Sequence, residues 1–210
     1  MIEIILVRHG ETEWNRQEIF RGRADIELSE TGAKQAELLA QYLSQAKIAA
    51  IYSSPLRRAL KTAEAIASYH SLKVKTTSGL IDFDYGKWQG LPHQEVTVSY
   101  QKLYATWLKN PHRVKMPGGE SLDDVTKRAI GVVDRVIGQH EGTVVLVSHR
   151  VVNKVLICTL LGLDNSHFWN IRQDVGAITI FTYENDRFTL TRHNDTSFLK
   201  AIPTVPLSDF

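Results

Sequence analysis

The sequence predicts an α/β protein: a three-layer α/β/α sandwich with a mostly parallel central sheet of about six strands and a small helical cap insertion. Three observations predict it. Strand and helix candidates alternate along the chain, the pattern of strand–helix–strand units. The apolar runs at 2–7 and 143–148 each break off at a polar pair, Arg8-His9 and Ser148-His149, as buried strands do where they leave a sheet. The last two strand candidates flank Glu184-Asn185-Asp186 and read as a hairpin, which adds an antiparallel strand.

The elements follow in order. Strand 2–7 is the first apolar run. In 31–46, Ala36, Leu39, Leu43 and Ala46 recur at offsets of three and four, giving one apolar helix face. Strand 49–52 leads to Pro55, a helix-start signal, and to helix 56–69. Strand 73–77 comes next. Helix 121–138 opens with Ser121 and has Asp124 three residues on, a variant of the capping box. Strand 143–148 precedes the apolar helix 150–161, and strands 176–183 and 187–192 form the hairpin.

Residues 84–118 differ from this rhythm. They hold Tyr85, Trp88, His93, Tyr100, Tyr104, Trp107 and His112 and lead into Pro117-Gly118-Gly119. Val96, Tyr100, Leu103 and Trp107 fall at helical spacing, which reads as packing rather than ligand contact. An insertion of this kind can cap a site. Residues 1–200 thus read as one domain carrying this cap, and 201–210, with Pro203 and Pro206, as a tail that is either frayed or docked.

Composition narrows the function classes. With 210 residues, 43% hydrophobic and 23% charged, the chain can bury one core. A net charge of +2 gives no nucleic-acid footprint. No apolar run approaches the ~20 residues that span a bilayer, and the start of the chain lacks a signal-peptide layout. The single cysteine, Cys158, lies among Leu156, Ile157 and Leu160 and reads as a buried thiol, so the expected compartment is a reducing cytoplasm.

The chemistry is concentrated at Leu6-Val7-Arg8-His9-Gly10-Glu11-Thr12-Glu13-Trp14-Asn15. A guanidinium beside an imidazole can hold an oxyanion while the neutral ring attacks the atom that bears it. This stretch resembles the signature of the histidine phosphatase superfamily, also called the phosphoglycerate mutase-like family: an apolar strand, R-H-G-[ED]-[ST], then W-N. Four further segments match in order. Leu28-Ser29-Glu30-Thr31-Gly32 resembles L-[ST]-x-x-G. Ser53-Ser54-Pro55-Leu56-Arg57-Arg58-Ala59 resembles S-S-P-L-x-R-A, which selects Arg58 and leaves Arg57 in the variable slot. Pro117-Gly118-Gly119-Glu120-Ser121 resembles P-x-G-E-S, and Val147-Ser148-His149 resembles V-[ST]-H.

The resemblance implies a phosphomonoesterase acting on a small phosphorylated metabolite. His9 would attack phosphorus in line and form a phosphohistidine. Arg8, Arg58 and His149 would neutralise the phosphoryl oxygens, with no metal and no cofactor. Gly10, Asn15 and Gly22 in the loop after the first strand could face the phosphate, and their plainer reading is turn chemistry. Arg21, Tyr85 and Arg150 are the expected substrate contacts beyond it. Arg150 stands where the family frequently has Gly, and Arg23 is read as structural or solvated. The other histidines show no metal-ligand spacing.

The leaving alkoxide needs a general acid. The family usually places Glu in L-x-E-x-x-x-G-x-W-E-G; here the segment is Leu80-Ile81-Asp82-Phe83-Asp84-Tyr85-Gly86-Lys87-Trp88-Gln89-Gly90. Aligning Gly86, Trp88 and Gly90 puts Asp82 in the acid position, and Asp84, two residues on, is the alternative. The rival reading is a cofactor-dependent phosphoglycerate mutase, but mutases usually carry E-R-x-Y-G where this chain has Asp82-Phe83-Asp84-Tyr85-Gly86. A third reading is a non-catalytic phosphate-binding relative. The closing hairpin and tail could support a homodimer, though no residue pattern demonstrates one; neither a nucleic acid nor a membrane is expected as partner.

Overall fold

The computed structural model describes residues 1–200 and Ile202, so the expected tail otherwise lies outside the described residues. Its strands are β1 (Ile2–Arg8), β2 (Ile48–Ser53), β3 (Val74–Thr76), β4 (Gly142–Ser148), β5 (Ile178–Glu184) and β6 (Arg187–Asp195). They form one sheet in the order β3-β2-β4-β1-β5-β6. The β3, β2, β4 and β1 pairings are parallel, and β5 runs antiparallel to both β1 and β6. The predicted α/β class and hairpin are therefore present. β5 starts two residues later than expected because Gly176 holds a positive φ of 68°, which ends the preceding loop and cannot belong to a strand.

The helices are α1 (Glu13–Arg16), α2 (Glu30–Leu43), α3 (Arg57–Ser68), α4 (His93–Ser99), α5 (Gln101–Lys109), α6 (Leu122–Gln139) and α7 (Arg150–Leu160). The Ser29 side chain caps α2 by accepting from the Gly32 amide. At α6 the capping box forms as the sequence implied, with Ser121 and Asp124 satisfying one another's backbone amides. α2 stops at Leu43, short of Ala46, whose amide instead closes a turn onto the Leu43 carbonyl.

Alternate residues of the central strands feed two cores, as the period-two geometry of a strand requires. Ile4, Leu6, Val144 and Leu146 pack with α6 and α7. Ile5, Val7, Val145 and Val147 pack with α2 and α3. The insertion joins the first core. Val96 and Trp107 are fully buried, and Tyr100 and Leu103 pack half-buried against the same cluster. Trp107 stacks on Phe83 with ring centroids 5.7 Å apart. The helical spacing thus marks packing, and α4 and α5 are anchored to the layer beside the strand ends.

Candidate active site

Three neighbouring parallel strands end in step. Arg8 is in register with Ser148, and Ser53 with Val147. The His9 amide donates to the Ser148 carbonyl at 3.1 Å, and the Ser54 amide to that of Val147 at 3.0 Å. His9, Ser54 and His149 are therefore brought together by sheet register alone, at the carboxyl ends of the strands where open α/β sheets place their ligands. α3 and α7 begin there too and aim their positive ends at the same point. A tight backbone contact fixes the loop after β1. A Cβ on Gly10 would stand 2.4 Å from the Gly32 carbonyl, so the loop is pressed onto the start of α2.

His9 is buried, 1% exposed. Its Nδ1 lies 2.6 Å from the Gly10 carbonyl, which can only accept, so Nδ1 carries the proton. Its Nε2 lies 3.2 Å from Arg58 Nε, which can only donate, so Nε2 presents its lone pair. The two contacts fix one tautomer independently. Burial, then the charge of Arg58, holds the imidazole well below its ordinary pKa.

Arg58 is wholly buried. It donates to the Gly22 and Ala24 carbonyls and to Asp82 Oδ2, each at 2.8 Å. Asp82 Oδ1 accepts from the Phe83 amide at 2.8 Å, and Oδ2 lies 3.5 Å from His149 Nδ1. His149 contacts the Ser54 hydroxyl through Nε2 at 2.7 Å, and its ring centroid stands 5.1 Å from that of His9. Burial, then Arg58, lowers its pKa as well. His149 Nδ1 is buried with no hydrogen-bond partner among the described residues.

Arg8 donates to the Gln173 carbonyl. Among the described residues Arg21 makes one long contact, 3.5 Å, to the Trp14 carbonyl, and its buried Nε has no hydrogen-bond partner. Burial and the guanidinium groups of Arg8 and Arg58 push it down to about 9. Arg21, Gly22, Asp82, Tyr85 and Arg150 line one recess together with Phe20, and Arg150 reaches the Tyr85 hydroxyl at 3.4 Å. Burial raises the Tyr85 phenol.

The remaining residues read from the sequence have local duties. Asn15 is buried, and its amide oxygen accepts from the Thr12 amide at 2.9 Å and the Thr12 hydroxyl at 2.8 Å. The Gly10 amide donates to Thr62 Oγ1 at 3.3 Å. Arg23 pairs with Glu120 at 2.9 Å and Asp84 at 3.4 Å. Asp84 also accepts from the Gly86 amide at 2.9 Å. Its carboxylate is thus engaged outside the cluster that holds Asp82. Sequence reasoning missed Gln173 and Arg128, which act through backbone contacts far away in the chain. Among the described residues no group of three or more His, Cys, Asp or Glu is placed to hold a metal ion.

Comparison with known proteins identifies the family. The model of the histidine phosphatase superfamily (branch 1) matches residues 4–196. Phosphoserine phosphatase 1 of Hydrogenobacter thermophilus is 40% identical over 200 residues, 95% of each chain. The solved structure of Bacillus stearothermophilus YhfR superposes with a TM-score of 0.91 at 30% identity, covering 95% of this chain and 100% of that one. A mycobacterial glucosyl-3-phosphoglycerate phosphatase solved with VO3 gives a TM-score of 0.87 at 28% identity, covering 92% and 99%. The chain therefore belongs to the histidine phosphatase superfamily, branch 1, and is an enzyme of the phosphatase kind.

Proposed function

We propose that this enzyme hydrolyses a small phosphorylated metabolite without a metal, through a phosphohistidine on His9 Nε2. One observation carries the reading: an unprotonated imidazole nitrogen, His9 Nε2, shares a buried site with a polar atom that has no hydrogen-bond partner among the described residues, His149 Nδ1. Leaving such a group unpaired is costly, and an equatorial oxygen of a phosphoryl group would satisfy it. Arg8 and Arg58 balance charge as it develops, the work a metal does elsewhere, while neutral His149 donates a hydrogen bond to the same oxygens. Both histidines are held neutral, so His9 is nucleophilic near neutral pH.

In the first step the His9 Nε2 lone pair forms the P–N bond as the P–O bond to the alcohol breaks. Asp82 donates the proton to the leaving oxygen. For Asp82 Oδ2 to carry that proton to the leaving oxygen, it must give up its contact with the Arg58 guanidinium, which then turns to the phosphoryl oxygens. Water then attacks phosphorus, Asp82 takes its proton, and His9 leaves. Gly10, Asn15 and Gly22 shape the phosphate end. Arg21, Tyr85 and Arg150 contact the alcohol end, since they line the recess beside Asp82. Two arginines there suit an alcohol that carries an anionic group, and the relatives named for phosphoserine and glucosyl-3-phosphoglycerate act on substrates of that sort.

We assign the enzyme to the cytoplasm as a soluble protein with a small-molecule partner, neither nucleic acid nor membrane, and with a homodimer as the form to test. Among the described residues no helix is long and apolar enough to cross a membrane, and the lone cysteine is buried. The test is inorganic phosphate release in EDTA from p-nitrophenyl phosphate, phosphoserine, 3-phosphoglycerate and sugar phosphates, with His9→Ala alongside. Release by wild type alone supports the reading. No release, together with isomerisation of 3-phosphoglycerate that requires 2,3-bisphosphoglycerate, would replace it with a mutase.

A further inference from the structure

Asp82 stands on a segment that no sheet ladder holds. After the 3-10 turn Ser78–Leu80 the chain runs irregularly to the turn at Gly86–Trp88. Its backbone carbonyls need partners from elsewhere. Arg128, in the middle of α6, supplies them. Its Nη1 donates to the carbonyls of Gly79 at 3.0 Å and Ile81 at 2.6 Å, and its Nη2 to that of Asp82 at 3.2 Å. Nε and Nη2 also grip Glu120 in a two-point contact, at 2.9 and 3.0 Å. The five N–H groups of the guanidinium are all used.

Glu120 closes the arrangement. Its carboxylate accepts from the Asp84 amide at 3.0 Å and from Arg23 Nη2 at 2.9 Å. Its own amide donates to the Asp84 carbonyl at 2.9 Å. The segment is drawn hard onto α6 as a result: a Cβ on Gly79 would meet the Arg128 carbonyl at 2.8 Å. Between the two anchor points, at 79–82 and at 84, the Asp82 side chain turns into the site.

We infer that Arg128 and Glu120 are positioning residues that set the Asp82 carboxyl for proton donation, so that cleavage of poor leaving groups depends on a pair that touches no substrate. The inference rests on Asp82 being the general acid. Lysine cannot replace Arg128, because an ammonium is a single point and cannot span three carbonyls and a carboxylate.

The experiment compares kcat for an alkyl phosphate such as glycerol phosphate with kcat for p-nitrophenyl phosphate, whose leaving group needs little proton assistance. Arg128→Lys lowers the alkyl rate by about 10²-fold, the cost of misplacing a reacting group by an ångström, and lowers the aryl rate far less. Added to Asp82→Asn, it lowers the alkyl rate no further. Equal losses on both esters, or an undiminished loss in the Asp82→Asn background, would overturn the clamp. Asp82→Asn alone separates the two claims. A loss there that ignores the leaving group removes both the acid and the clamp; a leaving-group-dependent loss there but not in Arg128→Lys removes the clamp alone. Should Arg128→Lys not fold, Glu120→Gln, which keeps an acceptor for the Asp84 amide, must show the same ester dependence, and equal losses in it overturn the proposal.

Discussion

The two halves of the site are held by different means. His9, Ser54 and His149 stand on the first residues beyond three parallel strands whose register aligns them, and Arg58 opens a helix beside them. Backbone geometry alone brings them together. Asp82 stands on an irregular segment whose carbonyls are collected by one guanidinium from α6. The nucleophile side is thus fixed by the sheet, while the acid side is fixed by side chains. A phosphatase gains from this division, because the nucleophile must not move between its two displacements, whereas the acid must exchange Arg58 for a proton.

That contrast can be broken by removing one side at a time. The largest effect is expected at His9. His9→Ala abolishes release from every ester, alkyl or aryl, by about 10³-fold or more; turnover of p-nitrophenyl phosphate at an undiminished rate would show that His9 is not the nucleophile. Next comes Asp82→Asn, which costs about 10²–10⁴-fold on alkyl phosphates and much less on p-nitrophenyl phosphate. Asp84→Asn, whose carboxylate faces Arg23 and the Gly86 amide, shows no such ester dependence. The reverse ranking of the two aspartates would move the acid to Asp84.

Smaller effects follow, one in the recess beside Asp82 and one in the sheet-held half. Arg21→Gln removes a charged contact and raises KM for anionic substrates by about tenfold or more, with little change for an ester whose alcohol is neutral. A uniform loss would place Arg21 on the phosphate instead. Ser54→Ala frees His149 Nε2 and costs about fivefold, the worth of one neutral hydrogen bond.

The depressed pKa values of His9 and His149 make a separate prediction. Between those folded values and the unfolded value of about 6.5, the unfolded chain binds protons that the folded site does not. The stability linked to these groups is therefore complete above about 6.5 and is lost as pH falls from there toward the folded values. Imidazole resonances of the free enzyme should titrate well below 6.5, and phosphate should raise them; a resonance of either residue titrating at or above 6.5 in the free enzyme contradicts the neutral site.

The same division explains what could be read in advance. Arg8, His9 and His149 stand where apolar runs break off at an abrupt polar turn, which marks them locally, whereas Arg58 was marked only by its place in the S-S-P-L-x-R-A resemblance, which quotes Ser54 without a role. The strands and the long helices were legible for the same reason. The aromatic spacing of 96–107 announced packing, and Val96 and Trp107 are indeed sealed in the core. Arg128 left no such trace. It sits on an amphipathic helix among other charges, and its partners at 79–82 are backbone atoms, which carry no residue-type signal. Gln173 is hidden likewise, since it meets Arg8 through its carbonyl. Glu120 appeared in a motif without its duty.

The central claim is a covalent phosphate on His9. Rapid alkaline quenching during steady-state turnover of an alkyl phosphate, followed by peptide mass spectrometry, reads it directly. The account predicts a phosphoryl adduct confined to His9, absent in His9→Ala and increased when the second displacement is slowed. Turnover at full rate with no adduct on His9, or with the adduct on His149, would contradict it.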